Sequence, residues 1–273
     1  MPTYVDRNQT IDLLRSTWEA IDHLYTGFTD ADHDTPTCLP GWTVKDQLSH
    51  ITGAEEMLLG QPIPEVDVSH LTHLHNDIAK MNEAWVESKR SLSGPEVLAQ
   101  FRTATAARLT ALDAMSQANF DAPSWTPAGP DETYGRFMRI RAYDSFHHEH
   151  DARDALGLPA RLDPAAIRSA LDETFPALGY IVGKRAKLPK GARVRIELTG
   201  PGAATHLIEV TDRARVVDEL SGDPTVELRV DGFTFVRLTG GRIEAEPLIG
   251  STVALAGDEV QGRQLIANLA FTI

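Results

Sequence analysis

Three side chains in the first 150 residues have types and spacing that could bind a metal ion. Asp144 and His148 lie four residues apart in a segment with a helical pattern, so both point to the same side of that helix. His50 lies on a second predicted helix, on the stripe that carries its apolar residues. Two imidazoles and a carboxylate from facing helices could bind a divalent cation and leave coordination positions open. The same spacing also fits a solvated polar face.

Two acidic residues beside these candidates could support them. Glu149 and Asp151 could each accept a hydrogen bond from the free ring N–H of a ligating histidine and so orient it. Either could instead form an ion pair along the helix, with Arg153 or with Arg141. The sequence assigns no catalytic acid, base or nucleophile.

The other histidines carry a weaker signal. His147 and His150 lie off the face shared by Asp144 and His148, so we expect them to support the ligands or to lie at the surface. The remaining histidines are expected to be ordinary surface or loop residues: His23, His33, His70, His73, His75 and His206.

The elements that would carry these side chains are helices. Apolar residues recur at three- and four-residue steps over 13–28, and Thr43 is a suitable N-cap for a helix that extends to about residue 59. Further helices are predicted over 75–92, 94–115 and 134–156, with a loop over 123–132. Amphipathic helices joined by loops predict a helix bundle over residues 1–160.

The pattern changes in the rest of the chain. A helix is predicted over 163–184, followed by alternating apolar and polar residues over 194–198, 206–210 and 226–230. Asp231-Gly232 is a turn signal before another predicted strand over 233–238, and a helix closes the chain over 258–269. Residues 161–273 are therefore predicted to form an α+β domain with an antiparallel sheet.

Composition excludes several classes of protein. The net charge of −13 argues against a nucleic-acid surface, and no apolar run is long enough for a membrane span. The single cysteine, Cys38, excludes an internal disulfide framework. With no visible secretory signal, these features predict a cytoplasmic protein. The apolar helix faces would allow a homodimer, although nothing in the sequence selects one.

Two segments resemble a known family. Residues 39–51, LPGWTVKDQLSHI, are similar to the PGW-[ST]-V-x-D-x-x-x-H element of the DinB-like mycothiol-dependent maleylpyruvate isomerase family. Residues 141–159, RAYDSFHHEHDARDALGLP, resemble that family's R-x-x-[DE]-x-x-x-H-E-x-D-x-R-x-A-x-G-x-P helix. The segments 222–225 and 256–258 resemble parts of the sterol-carrier-like domain that follows in those proteins.

The resemblance implies a four-helix bundle that holds a divalent metal, usually zinc, with the ligands carried over onto His50, Asp144 and His148. The characterised isomerase would have glutamate where this chain has Asp144, whose side chain is one methylene shorter. The resemblance also implies mycothiol, a low-molecular-weight thiol, as cosubstrate. The metal would hold the thiol as a thiolate, which attacks a small electrophilic substrate in an isomerase or an S-transferase.

Two other functions remain open at this stage. The chain could be a lipid or small-ligand binding protein in which the bundle is only a scaffold. It could also be a metal-dependent hydrolase that uses bound water in place of a thiol.

Overall fold

The computed structural model describes residues 2–72 and 74–272. The prediction for His73 lies outside the described residues. The chain divides into two compact units, Met1–Arg161 and Leu162–Ile273. Within the described ranges, no helix is long and apolar enough to cross a membrane.

The first unit is helical, as predicted. Its helices are α1 (Arg7–Thr26), α2 (Asp30–His33), α3 (Val44–Leu58), α4 (Asp77–Lys89), α5 (Gly94–Asp113), α6 (Gln117–Phe120) and α7 (Tyr134–Ala155). Helices α1, α5, α3 and α7 pack in a closed ring, each against the next, and so form a four-helix bundle. Helix α4 packs against the outside of α3.

The apolar stripes predicted from the sequence face the centre of this bundle. Trp18 and Ile21 of α1, Leu48 of α3 and Phe101 of α5 are all at most 2% exposed. Full burial of such side chains contributes about 1.5–3 kcal/mol each to stability. The bundle therefore gives α3 and α7 a fixed packed position, and these are the helices that carry the candidate ligands.

The start of α3 is fixed by a capping box. The Thr43 side chain accepts a hydrogen bond from the Asp46 backbone N–H, and the Asp46 carboxylate accepts one from the Thr43 backbone N–H at 2.8 Å. Asp46 also accepts from Nη1 of Arg90 at 3.0 Å. The N-cap predicted at Thr43 is confirmed, and this cap holds the first turns of the helix on which His50 lies.

One predicted loop contains a β-hairpin. The segment over 123–132 forms strands β1 (Pro123–Thr126) and β2 (Gly129–Thr133), which pair antiparallel with a register irregularity. The prediction of a loop was wrong there because each strand is short and contains a proline, so the sequence shows turn signals and no clear alternation.

The second unit contains a five-stranded sheet with helices. Its strands are β3 (Arg193–Thr199), β4 (Ala204–Val210), β5 (Ala214–Val217), β6 (Val226–Asp231) and β7 (Ala254–Gly257). The sheet order is β5-β4-β3-β6-β7. Neighbouring strands are antiparallel except β3 and β6, which are parallel. The prediction of an antiparallel sheet is therefore wrong for this central pair.

The Asp231-Gly232 pair is not a hairpin turn. Asp231 is the N-cap of α10 (Gly232–Thr239), and its carboxylate accepts a hydrogen bond from the Thr234 backbone N–H at 3.0 Å. A Cβ on Gly232 would lie 2.3 Å from the carbonyl oxygen of Pro201, so only glycine fits this close approach. The strand predicted over 233–238 is thus a helix, because the same Asp-Gly pair suits an N-cap as well as a turn.

The remaining helices of this unit differ from the prediction at their ends. Helix α8 (Pro164–Thr174) continues through a 3₁₀ turn (Phe175–Ala177), α9 (Leu178–Tyr180) and a π-helical turn (Ile181–Arg185). The predicted continuous helix is irregular because Pro176 has no backbone N–H to donate. The last helix, α11 (Glu259–Ile266), is shorter than predicted.

Candidate metal centre

His50, Asp144 and His148 come together where α3 and α7 face each other. Nε2 of His50 lies 3.1 Å from Oδ2 of Asp144, and Nε2 of His148 lies 3.4 Å from Oδ1 of the same carboxylate. The two imidazole rings have their centroids 4.7 Å apart. Both histidines are buried, whereas the Asp144 side chain is 27% exposed. The opening of the cluster is thus on the side of the carboxylate.

The three side chains fit a divalent transition metal. One ligand atom from each residue lies within 4.8 Å of the others. Atoms that share a zinc ion at about 2.1 Å in tetrahedral geometry are about 3.4 Å apart, close to the separations found here. Imidazole nitrogen and carboxylate oxygen are suitable donors for zinc and for its neighbours in the first transition row. Three protein ligands would leave at least one position for a small molecule.

At neutral pH, two of the three side chains, Asp144 and His50, are in the charge state that metal binding requires. Burial lowers the pKa of His50, although the Asp144 carboxylate acts in the opposite direction. Burial also works against the charged form of His148, but the carboxylates of Asp144 and Asp151 outweigh it and raise the pKa of this imidazole. Burial disfavours ionisation of Asp144, yet the charges of His50, Arg141 and His148 hold its pKa well below the usual range. Asp144 is therefore an ionised donor, and His50 is a neutral one.

A buried row of charges holds Asp144 in position. Arg141, one turn earlier on α7, donates from Nη1 to Oδ2 of Asp144 at 2.7 Å and from Nε to Glu55 at 2.8 Å. The other oxygen of Glu55 accepts from Nε of Arg108 at 3.0 Å. Because Glu55 is fully buried and lies on α3, this row links α5, α3 and α7 beside the candidate ligands.

The proposed supporting carboxylates have different surroundings. Glu149 forms ion pairs with Arg153 at 2.9 Å and with Arg161 at 2.8 Å, as in the ion-pair alternative. Asp151 lies beside the ligand, with Oδ2 3.6 Å from Nδ1 of His148. This distance is longer than an ordinary hydrogen bond, but the carboxylate of Asp151 still helps to raise the pKa of His148.

The residue that does bind Nδ1 of His148 is Gln47. Its Oε1 is in close hydrogen-bond contact with that nitrogen, and its Nε2 donates to Oγ1 of Thr37 at 2.7 Å. The indole of Trp42 forms a wall of the cluster, with its centroid 5.2 Å from the ring of His50 and 5.8 Å from that of His148. The sequence argument missed both residues. The available signal was their position inside the motif at 39–51.

The neighbouring histidines lie in the protein interior. His147 and His150 are at most 2% exposed, so the surface alternative was wrong for both. His150 contacts the backbone carbonyl oxygens of Phe146 at 2.8 Å and Arg161 at 3.3 Å. The prediction that both lie off the face shared by Asp144 and His148 agrees with the candidate metal group, which contains neither of them.

Most of the remaining histidines match the expectation of ordinary residues. His23, His70 and His75 are exposed, and His206 is half-buried on β4. His33 is the exception, because it is 3% exposed and packs against the rings of Tyr25 and Phe28. The prediction of a surface position was wrong for His33, because Tyr25 near the end of α1 and Phe28 just after it pack against its ring.

Known proteins are similar to this chain in sequence and in fold. The family model for the mycothiol maleylpyruvate isomerase N-terminal domain matches residues 14–153. A crystal structure of the mycothiol-dependent maleylpyruvate isomerase is similar with a TM-score of 0.61 and 14% identity, covering 92% of this chain and 93% of that chain. A variant of that enzyme with one histidine replaced by alanine gives a TM-score of 0.59 at 14% identity, with the same coverage. No curated protein matches the sequence.

Proposed function

The chain belongs to the mycothiol maleylpyruvate isomerase family, and from this premise we propose that it is a metal-dependent enzyme with mycothiol as cosubstrate. His50, Asp144 and His148 are the proposed ligands of a divalent metal, zinc. The proposed reaction is isomerisation of a small electrophilic substrate, or transfer of the thiol to it. The DinB-like bundle over residues 1–160 is the proposed metal-binding domain.

The observation that carries the proposal is the convergence of two imidazoles and one carboxylate within 4.8 Å. Each side chain is held by the bundle before any ligand binds. Burying polar and charged side chains costs free energy unless they are paired. A bundle that served only as a scaffold would gain nothing from such a cluster. A bound metal ion would hold a thiol in its deprotonated form at neutral pH.

The chain's own residues would prepare the site. Arg141 holds one oxygen of Asp144, so the other oxygen is left for a ligand. The indole of Trp42 covers the two imidazoles, and its Nε1 donates to Glu83 at 2.7 Å, which fixes the ring. This apolar wall would exclude water from one side of a bound thiol or substrate.

For residues 161–273 we propose a sterol-carrier-like domain. Support comes from the sequence resemblance at 222–225 and 256–258, and from a mixed sheet accompanied by helices. The domain would add to substrate or thiol selection in a metal- and thiol-dependent enzyme. In the alternative function it would bind a lipid or small ligand by itself.

The test begins with the metal content of the purified full-length protein, measured by elemental mass spectrometry. We expect about one zinc per chain in the wild type, and less than about a tenth of that in His50→Ala, because two ligands hold the ion poorly. The matched control is His23→Ala, which removes an exposed histidine of α1 and should keep the full content. Unchanged metal in His50→Ala would remove His50 from the ligand set.

The thiol is tested on the same protein with Co(II) in place of zinc. Addition of mycothiol should produce sulfur-to-cobalt charge-transfer bands in the near ultraviolet, and His50→Ala should not give them. If mycothiol does not change the spectrum of the cobalt protein, the result would favour the hydrolase function that uses bound water. A wild-type protein without any metal would favour the binding protein instead.

A further inference from the structure

We infer that Gln47 is a positioning residue for His148: it fixes the tautomer and the ring orientation that leave Nε2 free for the metal. The inference rests on the metal site proposed above. Gln47 is fully buried on α3, three residues before His50, so the two side chains lie on the same side of that helix. From there the Gln47 amide reaches across to α7, where Oε1 contacts Nδ1 of His148.

The direction of this hydrogen bond follows from the partners of the Gln47 amide. Its Nε2 donates to Oγ1 of Thr37 at 2.7 Å, and that hydroxyl donates its own proton to the carbonyl oxygen of Trp42 at 3.0 Å. Since the Thr37 hydroxyl proton is used, its lone pairs can only accept from the amide nitrogen. The amide oxygen must therefore face His148.

An amide oxygen can only accept, so Nδ1 of His148 must carry the ring proton. In the neutral ring the other nitrogen, Nε2, then has its lone pair free on the side of Asp144, whose Oδ1 is 3.4 Å away. A metal ligand needs this nitrogen unprotonated. Gln47 thus selects the tautomer that can coordinate, and Thr37 keeps the amide from flipping.

The alternative acceptor near His148 is Asp151. Its Oδ2 is 3.6 Å from Nδ1, beyond hydrogen-bond distance, whereas the Gln47 oxygen is in direct contact. A neutral acceptor fixes the ring without adding another charge in direct contact with an imidazole that is 3% exposed. The chain therefore separates the two effects: Gln47 supplies geometry, and Asp151 supplies charge.

The test variant is Gln47→Met in the full-length protein, which keeps a side chain of similar length and removes both hydrogen bonds. Loss of a group that orients a ligating histidine typically weakens metal affinity about 10–100-fold. We expect a loss of this size in the zinc affinity, measured by competition with a chromophoric chelator. Thr37→Val removes the anchor of the amide and keeps the amide itself, so we expect a smaller loss.

The matched control is Thr52→Val. Thr52 is fully buried on the same helix, and its hydroxyl donates to the Leu48 carbonyl oxygen at 2.7 Å, away from the imidazoles. This change removes a buried polar group from α3 without touching His148. Zinc affinity in Thr52→Val should stay within about twofold of the wild type, which separates positioning from a general loss of packing.

A second measurement tests Gln47 without metal. Two-bond ¹H–¹⁵N NMR spectra of metal-free protein are recorded at a pH above the range in which the imidazole signals shift. We expect a single Nδ1–H tautomer for His148 in the wild type and Thr52→Val, and a mixture in Gln47→Met. An unchanged tautomer in Gln47→Met, or zinc affinity within twofold of the wild type, would overturn the inference. If the wild type binds no zinc, the proposed function fails, and the tautomer still decides the role of Gln47.

Discussion

One oxygen of the Asp144 carboxylate, Oδ2, accepts a hydrogen bond from Arg141, and the other, Oδ1, is available to a metal ion. Arg141 donates to Oδ2 at 2.7 Å, and both candidate histidines approach the same carboxylate. Aspartate has one methylene less than the glutamate expected from the family resemblance, so its oxygens stay closer to the α7 backbone. In this structure the short side chain still reaches both imidazoles: His148 lies one turn away on α7, and His50 lies on α3, which packs directly against α7.

This geometry leads to a prediction for two substitutions at position 144. Asp144→Glu should keep zinc binding within about tenfold of the wild type, because it retains a carboxylate and only lengthens its reach. Asp144→Asn should weaken binding much more, since the amide carries no charge and Arg141 keeps its own. Zinc affinity is measured by chelator competition, with thermal unfolding as a check on folding. Equal affinities for Asp144→Asn and the wild type would remove this residue from the ligand set.

At the residue scale, the sequence supplies the candidates but not their surroundings. Spacing within one helix brought Asp144 and His148 together, and the apolar stripe of the second predicted helix added His50. The contact between Gln47 and His148 spans two helices, and its existence depends on their packing. Periodicity describes which residues share a face of one helix and says nothing about the partner across the interface. Gln47 and Trp42 were therefore beyond that reasoning.

At the element scale, Glu55 ties three helices of the bundle together. It is fully buried on α3 and accepts from Arg108 of α5 at 3.0 Å and from Arg141 of α7 at 2.8 Å. Without Glu55, Arg108 would lose the carboxylate to which it donates, and Arg141 would keep its hydrogen bond to Asp144 but lose the one to Glu55. Such uncompensated buried charge is strongly destabilising, even where the intact ion pair adds little to stability.

Glu55→Ala should therefore lower the free energy of unfolding by about 3–5 kcal/mol. The measurement is urea unfolding of the metal-free protein followed by circular dichroism, so that the loss is separate from any change in zinc binding. Glu19→Ala on α1 is the control, because Glu19 is exposed and the change should cost less than about 0.5 kcal/mol. A Glu55→Ala protein as stable as this control would contradict the role assigned to the buried row.

Long elements with strong periodicity were predictable, and short ones with mixed signals were not. The cap at Thr43 gave α3 close to its observed ends, and the stripe over 13–28 located α1, which begins earlier than predicted, at Arg7. The hairpin β1–β2 and helix α10 were missed because each is short and its sequence shows turn signals without clear periodicity. An Asp-Gly pair fits a tight turn and an N-cap equally well, so the sequence could not choose between them.

At the scale of the whole molecule, the candidate ligands all lie in one of the two compact units, Met1–Arg161. The sequence correctly indicated helices before a mainly antiparallel sheet, but it did not reveal the parallel pair. Alternating residues look the same in parallel and antiparallel strands, so the parallel pair of β3 and β6 required the three-dimensional structure.

Because the proposed ligands all lie in the first unit, we predict that zinc stabilises this unit more than the second. A ligand that binds only the native state at about 100 times its Kd adds about 2.7 kcal/mol of stability. The added stability should appear in α3 and α7, because the site is lost when either helix opens. The sheet strands β3, β4 and β6 supply none of the proposed ligands, so their protection should stay nearly constant.

Hydrogen exchange followed by mass spectrometry of the full-length protein, with and without zinc, measures this directly. Peptides from α3 and α7 should exchange about 100-fold more slowly with zinc if their exchange requires opening of the site. Peptides from β3, β4 and β6 are the internal control within the same sample. His50→Ala provides the matched chain in which zinc should slow neither set. Equal slowing in both units would mean that zinc binds outside His50, Asp144 and His148, or that the two units unfold as one.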